Sequence, residues 1–264
     1  MISRAFWISS LISGIVGTSA VAINQQKKEV LRSLTEAPAY LVEGPLASVI
    51  VPALEEEKYL PNLLTSIQNQ TYKPIETIIV DQSESYQATQ QICLEYGARL
   101  IHLDEPNVSR ARNEGAKAAT ADILIFSDAD NVLAPACVEN LIRALHEGYI
   151  LANPVHCKYD DDGIWAFGTL WGKNWLKPIS STGCCVGIWR DAYFEIGGYT
   201  ESCDPYYGCR EDLKFGRDIV ERFGLESIKL VRNALAGNSA RRFRKEGLTP
   251  WKHRAVRKEL ADID

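Results

Sequence analysis

Four short strand-like stretches, three of them mainly apolar, are set apart by stretches of helical spacing and constrain this chain more than any other feature. Ser48–Val51 is stopped by Pro52, Thr77–Val80 ends in Asp81, Arg99–His102 is the third, and Ile123–Phe126 leads into Ser127-Asp-Ala-Asp130. Runs without alternation suit strands buried on both faces. Between them, Leu60, Leu63, Leu64 and Ile67 recur at helical spacing behind Glu55–Glu57, which would suit an acidic first turn. Thr89–Tyr96 and Ser109–Ala119 read as further helices, the latter with Ser109 as its cap, and Pro135–Glu147 as another. The first two runs start about 30 residues apart, the length of one βαβ unit. The pattern predicts an α/β fold with a mostly parallel sheet flanked by helices. Further on, Cys184–Trp189 reads as a strand and Glu211–Phe223 as a helix.

Composition bounds the rest. The 264 residues are 46% hydrophobic and 24% charged, enough for one large core. The net charge of −5 excludes a nucleic-acid-binding surface spread over the whole chain. Charge is uneven. Gly237–Lys258 carries eight Lys/Arg against one Glu, leaving −12 on the rest. The seven cysteines (Cys93, Cys137, Cys157, Cys184, Cys185, Cys203 and Cys209) contain no C-x-x-C pair, which gives no support to a zinc site. Their odd number suggests free thiols in a reducing compartment, although Cys203 and Cys209 are close enough in sequence to close a small loop.

Ala5–Ile23 has no charged residue and would just span a hydrocarbon core. Residues 1–24 are therefore a candidate membrane anchor, with 25–46 a polar linker. Lys27, Lys28 and Arg32 after it favour a cytoplasmic body. Two other readings stay open: a cleaved signal, given Ala20-Val-Ala22, and an apolar helix packed on the body.

In open α/β sheets, ligands bind beyond the carboxyl ends of the strands. Pro52, Asp81, Asp128 and Asp130 all fall there. Two carboxylates two residues apart after a buried strand suit magnesium or manganese, which take oxygen ligands and bridge to phosphates. There is no G-x-G-x-x-G after the first run and no P-loop motif, so a dinucleotide dehydrogenase or a P-loop nucleotidase loses its main support.

Ser48-Val-Ile-Val-Pro-Ala-Leu-Glu-Glu56, Ile79-Val-Asp81, Ser109-Arg-Ala-Arg-Asn-Glu-Gly115 and Phe126-Ser-Asp-Ala-Asp-Asn131 occur in an order that resembles the donor half of family 2 glycosyltransferases, which have the GT-A fold. The resemblance covers roughly residues 47–232. It implies a single nucleotide-sugar-binding domain over 47–236, with a donor half at 47–132 and an acceptor half at 133–236, followed by a basic extension at 237–264. It further implies that Pro52 and Ala53 line the nucleotide pocket with Glu56 close by, and that Asp81 accepts a hydrogen bond from a uracil-like base. Arg112 would approach the diphosphate, with Arg110 a weaker candidate. Asp128 would lie near the ribose or the metal, and Asp130 would be the main ligand of Mn2+ or Mg2+. The family's first motif usually carries Asn where this chain has Glu55.

The likeness continues in Thr182–Arg190 and Ile196–Tyr199, under the acceptor site, where Gly183 would let a sugar approach the backbone. The Glu211-Asp212 pair stands where related enzymes carry the catalytic base, so Asp212 is expected to be the base and Glu211 its neighbour. Trp165, Phe167, Trp171 and Trp175 offer faces that stack on a sugar or lipid or simply fill the core, and Trp171 is the acceptor candidate among them. Ser239–Arg244 resembles a basic segment late in many members; some carry a metal-reaching His there, whereas this chain has Asn238 and Ser239. The expected reaction is inverting transfer from a nucleotide-diphosphate sugar, with UDP favoured, to a glycan, lipid-linked or small-molecule acceptor, with no nucleic acid as partner. Two rivals are a sugar-nucleotide-binding relative without turnover and a phosphatase of the haloacid dehalogenase type. The latter carries its D-x-D after the first strand, whereas three strands precede it here.

Overall fold

The computed structural model describes residues 4–161, 163–169, 185–202, 211–241 and 244. Helix α1 (Arg4–Arg32) leads into β1 (Val42–Ala53), α2 (Leu60–Gln68), β2 (Tyr72–Asp81), α3 (Gln87–Tyr96), β3 (Arg99–His102), α4 (Val108–Ala118) and β4 (Ile123–Ser127). There follow β5 (Asn131–Leu133), α5 (Cys137–His146), β6 (Leu151–Lys158), α6 (Ile164–Gly168), β7 (Cys185–Trp189), α7 (Arg190–Glu195), α8 (Glu211–Phe223) and β8 (Ile228–Asn238).

Among the described residues, eight strands form one sheet in the order β3-β2-β1-β4-β7-β6-β8-β5. The first half is parallel, as the buried runs predict: β1 pairs with β2 and β4, and β2 with β3. Beyond β4 the sheet is mixed. There β7 runs antiparallel to β4 and β6, β5 antiparallel to β8, and β6 parallel to β8. A buried apolar run reads the same in either direction, so periodicity carries no information on that change.

Each central strand feeds two cores. Val49, Val51, Ile79, Ile123 and Ile125 pack with α2 and α5 through Leu60, Leu63, Leu141 and Leu145. The alternate residues Ile50, Ile78, Val80, Leu124 and Phe126 pack on the other face with α4, α7 and α8 through Ala111, Tyr193, Phe215 and Ile219. Helix α4 comes unusually close: a Cβ on Gly115 would stand 2.3 Å from Ile50 Cγ2.

Three local expectations are corrected. Ser109 does not cap α4. Asn107 does, with extended backbone and a side chain that accepts from Arg110 N at 3.0 Å; Ser109 lies inside the helix and is buried. Glu55–Glu57 are not in the first turn of α2, which starts at Leu60. Glu55 instead takes a left-handed conformation, φ 55°, in the connection after β1. Residues 25–32 belong to α1, and β1 starts at Val42, so the expected linker holds parts of both elements. The C-terminal half of α1 packs on β5, β6 and β8: Val30 is fully buried with Val132, Ala134 and Cys157. No helix among the described residues is long and apolar enough to cross a membrane. Cys93, Cys137, Cys157 and Cys185 are free and buried; Cys184, Cys203 and Cys209 lie outside the described residues.

At the amino-terminal edge of the sheet, Glu76 joins three strands. It accepts from Ser48 Oγ on β1, and from Thr120 N at 2.7 Å and Thr120 Oγ1 at 2.9 Å just before β4. Burial pushes its pKa up, but these hydrogen bonds outweigh burial and leave it below the usual glutamate value. A depressed folded value stabilises above the unfolded pKa of about 4.3, and that stability is lost as pH falls through the folded value. Glu76→Gln is therefore expected to unfold at lower urea concentration than the parent near pH 7. The two curves should converge in acid below the folded pKa of Glu76.

Candidate active site

The carboxyl ends of β1, β2 and β4 form one rim. Ala53 pairs with Asp81 in register, and Gln82 N donates to Ala53 O at 3.0 Å. Ser83 ties the two strand ends together: its Oγ donates to Asp81 Oδ1 at 2.7 Å and accepts from Glu55 N at 2.8 Å. Asp81 is fully buried, and its second oxygen, Oδ2, has no hydrogen-bond partner. An outside N–H reaches that oxygen only if neighbouring side chains move aside. Pro52 is half-buried and Ala53 buried at the end of β1.

Arg112, on the second turn of α4, points into the rim with only 3% of its side chain exposed. Its Nη2 donates to Asp128 Oδ1 at 3.1 Å, its Nη1 to Glu211 Oε1 at 3.4 Å, and its guanidinium lies 4.8 Å from the Tyr199 ring centroid. Burial works against this charge. Tyr199, Asp128 and Glu211 outweigh it and hold the pKa above the ordinary arginine value. One side chain thus joins the D-x-D turn to the start of α8. Arg110 faces elsewhere, towards Glu105 and Glu201 at 3.2 and 3.4 Å.

The neighbouring Asn113 fixes the other wall. Its Oδ1 accepts from Tyr193 Oη at 2.6 Å and Tyr199 N at 3.0 Å, and its Nδ2 donates to Tyr199 O at 2.9 Å. Gly198 is required there, because its φ is +71° and a Cβ would lie 2.7 Å from Asn113 Oδ1. Tyr199 stacks on Phe215 of α8 with centroids 4.2 Å apart. The predicted Ile196–Tyr199 segment is therefore the clamp that sets α8, and with it Glu211 and Asp212, against α4. Asp212 is half-buried, and its Oδ1 accepts from Leu213 N at 2.9 Å.

Asp130 turns towards a residue that sequence reasoning placed only within a basic segment. Arg241 Nε donates to Asp130 Oδ2 at 3.1 Å, and its Nη2 to Glu56 Oε1. Its guanidinium lies 4.3 Å from the Tyr59 ring centroid. Burial raises the pKa of Glu56; Arg241 opposes this, while Asp130 and Asp128 add to it. Glu56 and Asp130 thus share one guanidinium, while Asp128 beside them pairs with Arg112. Among the described residues no group of three or more His, Cys, Asp or Glu is arranged to hold a metal by itself. Asp128 and Asp130 supply the one or two carboxylates that magnesium commonly takes alongside phosphate oxygens. Gly183 and Trp171 lie outside the described residues, so their expected acceptor roles have no geometry here.

The sequence profile described as Glycosyl transferase family 2 matches residues 48–193, more than half of the chain. The chain belongs to that family. Curated relatives include the 4,4'-diaponeurosporenoate glycosyltransferase of Staphylococcus haemolyticus, 35% identical over 51% of this chain and 40% of the relative. Glycosyltransferase GlyA of Streptococcus pneumoniae is 34% identical over 55% of this chain and 21% of its own length. The chain thus spans less than half of these two relatives. The fold resembles the mannosyltransferase PcManGT of Pyrobaculum calidifontis, solved with GDP-Man and Mn2+, at TM-score 0.58 and 19% identity over 92% of this chain and 76% of that one. It also resembles glucosyl-3-phosphoglycerate synthase of Mycobacterium tuberculosis, solved with Mn2+, UDP and glucosyl-3-phosphoglycerate, at TM-score 0.55 and 20% identity over 83% and 80%. These likenesses make the fold GT-A.

Removing the guanidinium in this family 2 chain leaves Asp128 and Glu211 facing each other without a shared cation. Arg112→Gln is expected to cost about 3 kcal/mol of stability, the lower end for breaking a buried ion pair, because Asp128 still reaches water. Urea unfolding of the two proteins measures the difference.

Proposed function

We propose that this chain is an inverting glycosyltransferase that moves a sugar from a nucleotide-diphosphate donor, UDP in the first instance, to an acceptor hydroxyl. One observation carries the proposal. Arg112 joins Asp128, on the rim where Asp81 and Asp130 also stand, to Glu211, the neighbour of Asp212. That link between the strand-end carboxylates and the start of α8, in a chain of the glycosyltransferase family, supports reading them as one site.

In this proposal residues 47–236 are the catalytic unit, with 47–132 serving the donor and 133–236 the acceptor. Pro52 and Ala53 border the nucleotide, and Asp81 accepts the base N–H on Oδ2. Arg112 supplies positive charge at the diphosphate. Asp130, with Asp128 beside it, would hold Mn2+ or Mg2+, which when bound neutralises diphosphate charge and helps it leave. Asp212 takes the proton from the acceptor hydroxyl as that oxygen attacks the anomeric carbon from the side opposite the departing diphosphate. The carbon–oxygen bond to the acceptor forms as the bond to the diphosphate breaks, so the product has the inverted configuration. Half-burial suits Asp212 to this role, since an acceptor can reach it. The acceptor is a glycan, a lipid-linked sugar or a small molecule.

UDP- and GDP-sugars are to be screened with Mn2+ or Mg2+, reading nucleotide release with each acceptor class. Release is expected to require the metal, and release in excess chelator would refute that part. Asp212→Asn is expected to lower kcat by about 10²–10⁴ with nucleotide affinity unchanged. Turnover near the parent value would remove Asp212 as the base.

A further inference from the structure

Arg241 occupies the same carboxylates that the proposed metal would need. Its Nε donates to Asp130 Oδ2 at 3.1 Å, its Nη2 donates to Glu56, and its planar cation covers the Tyr59 ring. The other oxygen of Glu56, Oε2, is buried without a hydrogen-bond partner, so the guanidinium satisfies only part of that carboxylate. About a third of the Arg241 side chain is exposed, unlike that of Arg112.

The backbone that carries Arg241 is held from one place. Asp160, just beyond β6, accepts from Ser239 Oγ at 2.7 Å and Ala240 N at 2.7 Å. Arg244 donates to the Asp160 backbone oxygen at 2.7 Å and to its carboxylate at 2.5 Å, while Lys158 Nζ donates to Ser239 O at 3.1 Å. The segment is thus anchored on both sides of Arg241, whose guanidinium reaches across to the rim.

We propose that Arg241 is a built-in counter-cation for Glu56 and Asp130 that yields to the incoming donor, so that divalent cation and nucleotide diphosphate bind as a coupled pair. This rests on the proposed role of Asp130 as a metal ligand. Asp130 Oδ2 cannot serve a guanidinium and a divalent cation at full strength, and the two cations repel each other. A metal ion arriving alone must displace Arg241 and leave it without a counter-charge. A diphosphate removes both penalties. Its oxygens give the guanidinium a planar two-point acceptor, which arginine favours, and they complete the oxygen shell of the cation. Coupling of this kind is reciprocal: the nucleotide tightens the cation as much as the cation tightens the nucleotide. Asp160 acts as the positioning residue that keeps Arg241 within reach.

The test is a titration of Mn2+ into the full chain, following free Mn2+ by electron paramagnetic resonance, alone and with saturating UDP or GDP. For the parent, Mn2+ alone is expected to bind weakly, and one of the nucleotides to tighten it at least about fivefold, the lower end of ordinary coupling between sites. Arg241→Gln is expected to tighten Mn2+ alone by a similar factor and to shrink the nucleotide effect. Asp160→Asn, which loosens the segment but leaves the arginine, is expected to change both in the same direction. A merely structural role for Asp160 would not strengthen metal binding. If both variants leave Mn2+ affinity in the absence of nucleotide unchanged or weaker, the counter-cation proposal is overturned. Asp130→Asn separates this from the underlying reading. Mn2+ binding that survives Asp130→Asn removes the metal role itself, whereas its loss there, with no gain in Arg241→Gln or Asp160→Asn, removes only the counter-cation.

Discussion

The buried guanidinium of Arg112 is the interaction on which the site depends. A cation taken out of water is tolerated only with anionic partners in good geometry, so the D-x-D turn and the start of α8 have to meet it. Asp128 and Glu211 are 83 residues apart in sequence, yet both lie within hydrogen-bonding distance of one side chain. Tyr199 covers the guanidinium face and stacks on Phe215 of α8. The rim and the start of α8 are thereby held together by packing as well as by charge.

Arg241 differs from it in each respect. It is partly exposed and pairs with Glu56 and Asp130. Arg112 is almost fully enclosed by Asp128, Glu211 and Tyr199. Arg241, with about a third of its side chain exposed, makes pairs that water can reach. The D-x-D turn presents one carboxylate to each arginine, and the two aspartates are therefore not equivalent.

Much of this was legible in the sequence. The four strands Ser48–Val51, Thr77–Val80, Arg99–His102 and Ile123–Phe126 all fall within β1 to β4; burial on both faces leaves continuous apolar runs in three of them, while β3 is a partly exposed edge strand. Asp81, Asp128 and Asp130 stand at strand ends for the same reason. Errors arose where tertiary contacts overrode local preference. Ser109 has the chemistry of a cap, but Asn107 starts the helix two residues earlier and also donates to Glu201 O at 3.0 Å. Glu55–Glu57 look like an acidic first turn, but Ser83 holds Glu55 N back at the strand end. The packing of Val30 beside Gly237, where a Cβ would lie 2.6 Å from Val30 Cγ1, likewise joins positions too far apart for a local pattern to link. The pairing of Arg241 with Glu56 crosses 185 positions, and no local pattern encodes it.

Helix α4 uses three successive residues in three directions: Ala111 into the core, Arg112 into the rim and Asn113 into the Tyr193–Tyr199 clamp. With Gly115 pressing the same helix onto Ile50, α4 can neither rotate nor lift without disturbing all three. Among the described residues, α4 thus ties the rim to the Tyr193–Tyr199 clamp. A substitution that shifts α4 should therefore be felt at Asp128 and at Tyr199 together, even though neither belongs to that helix.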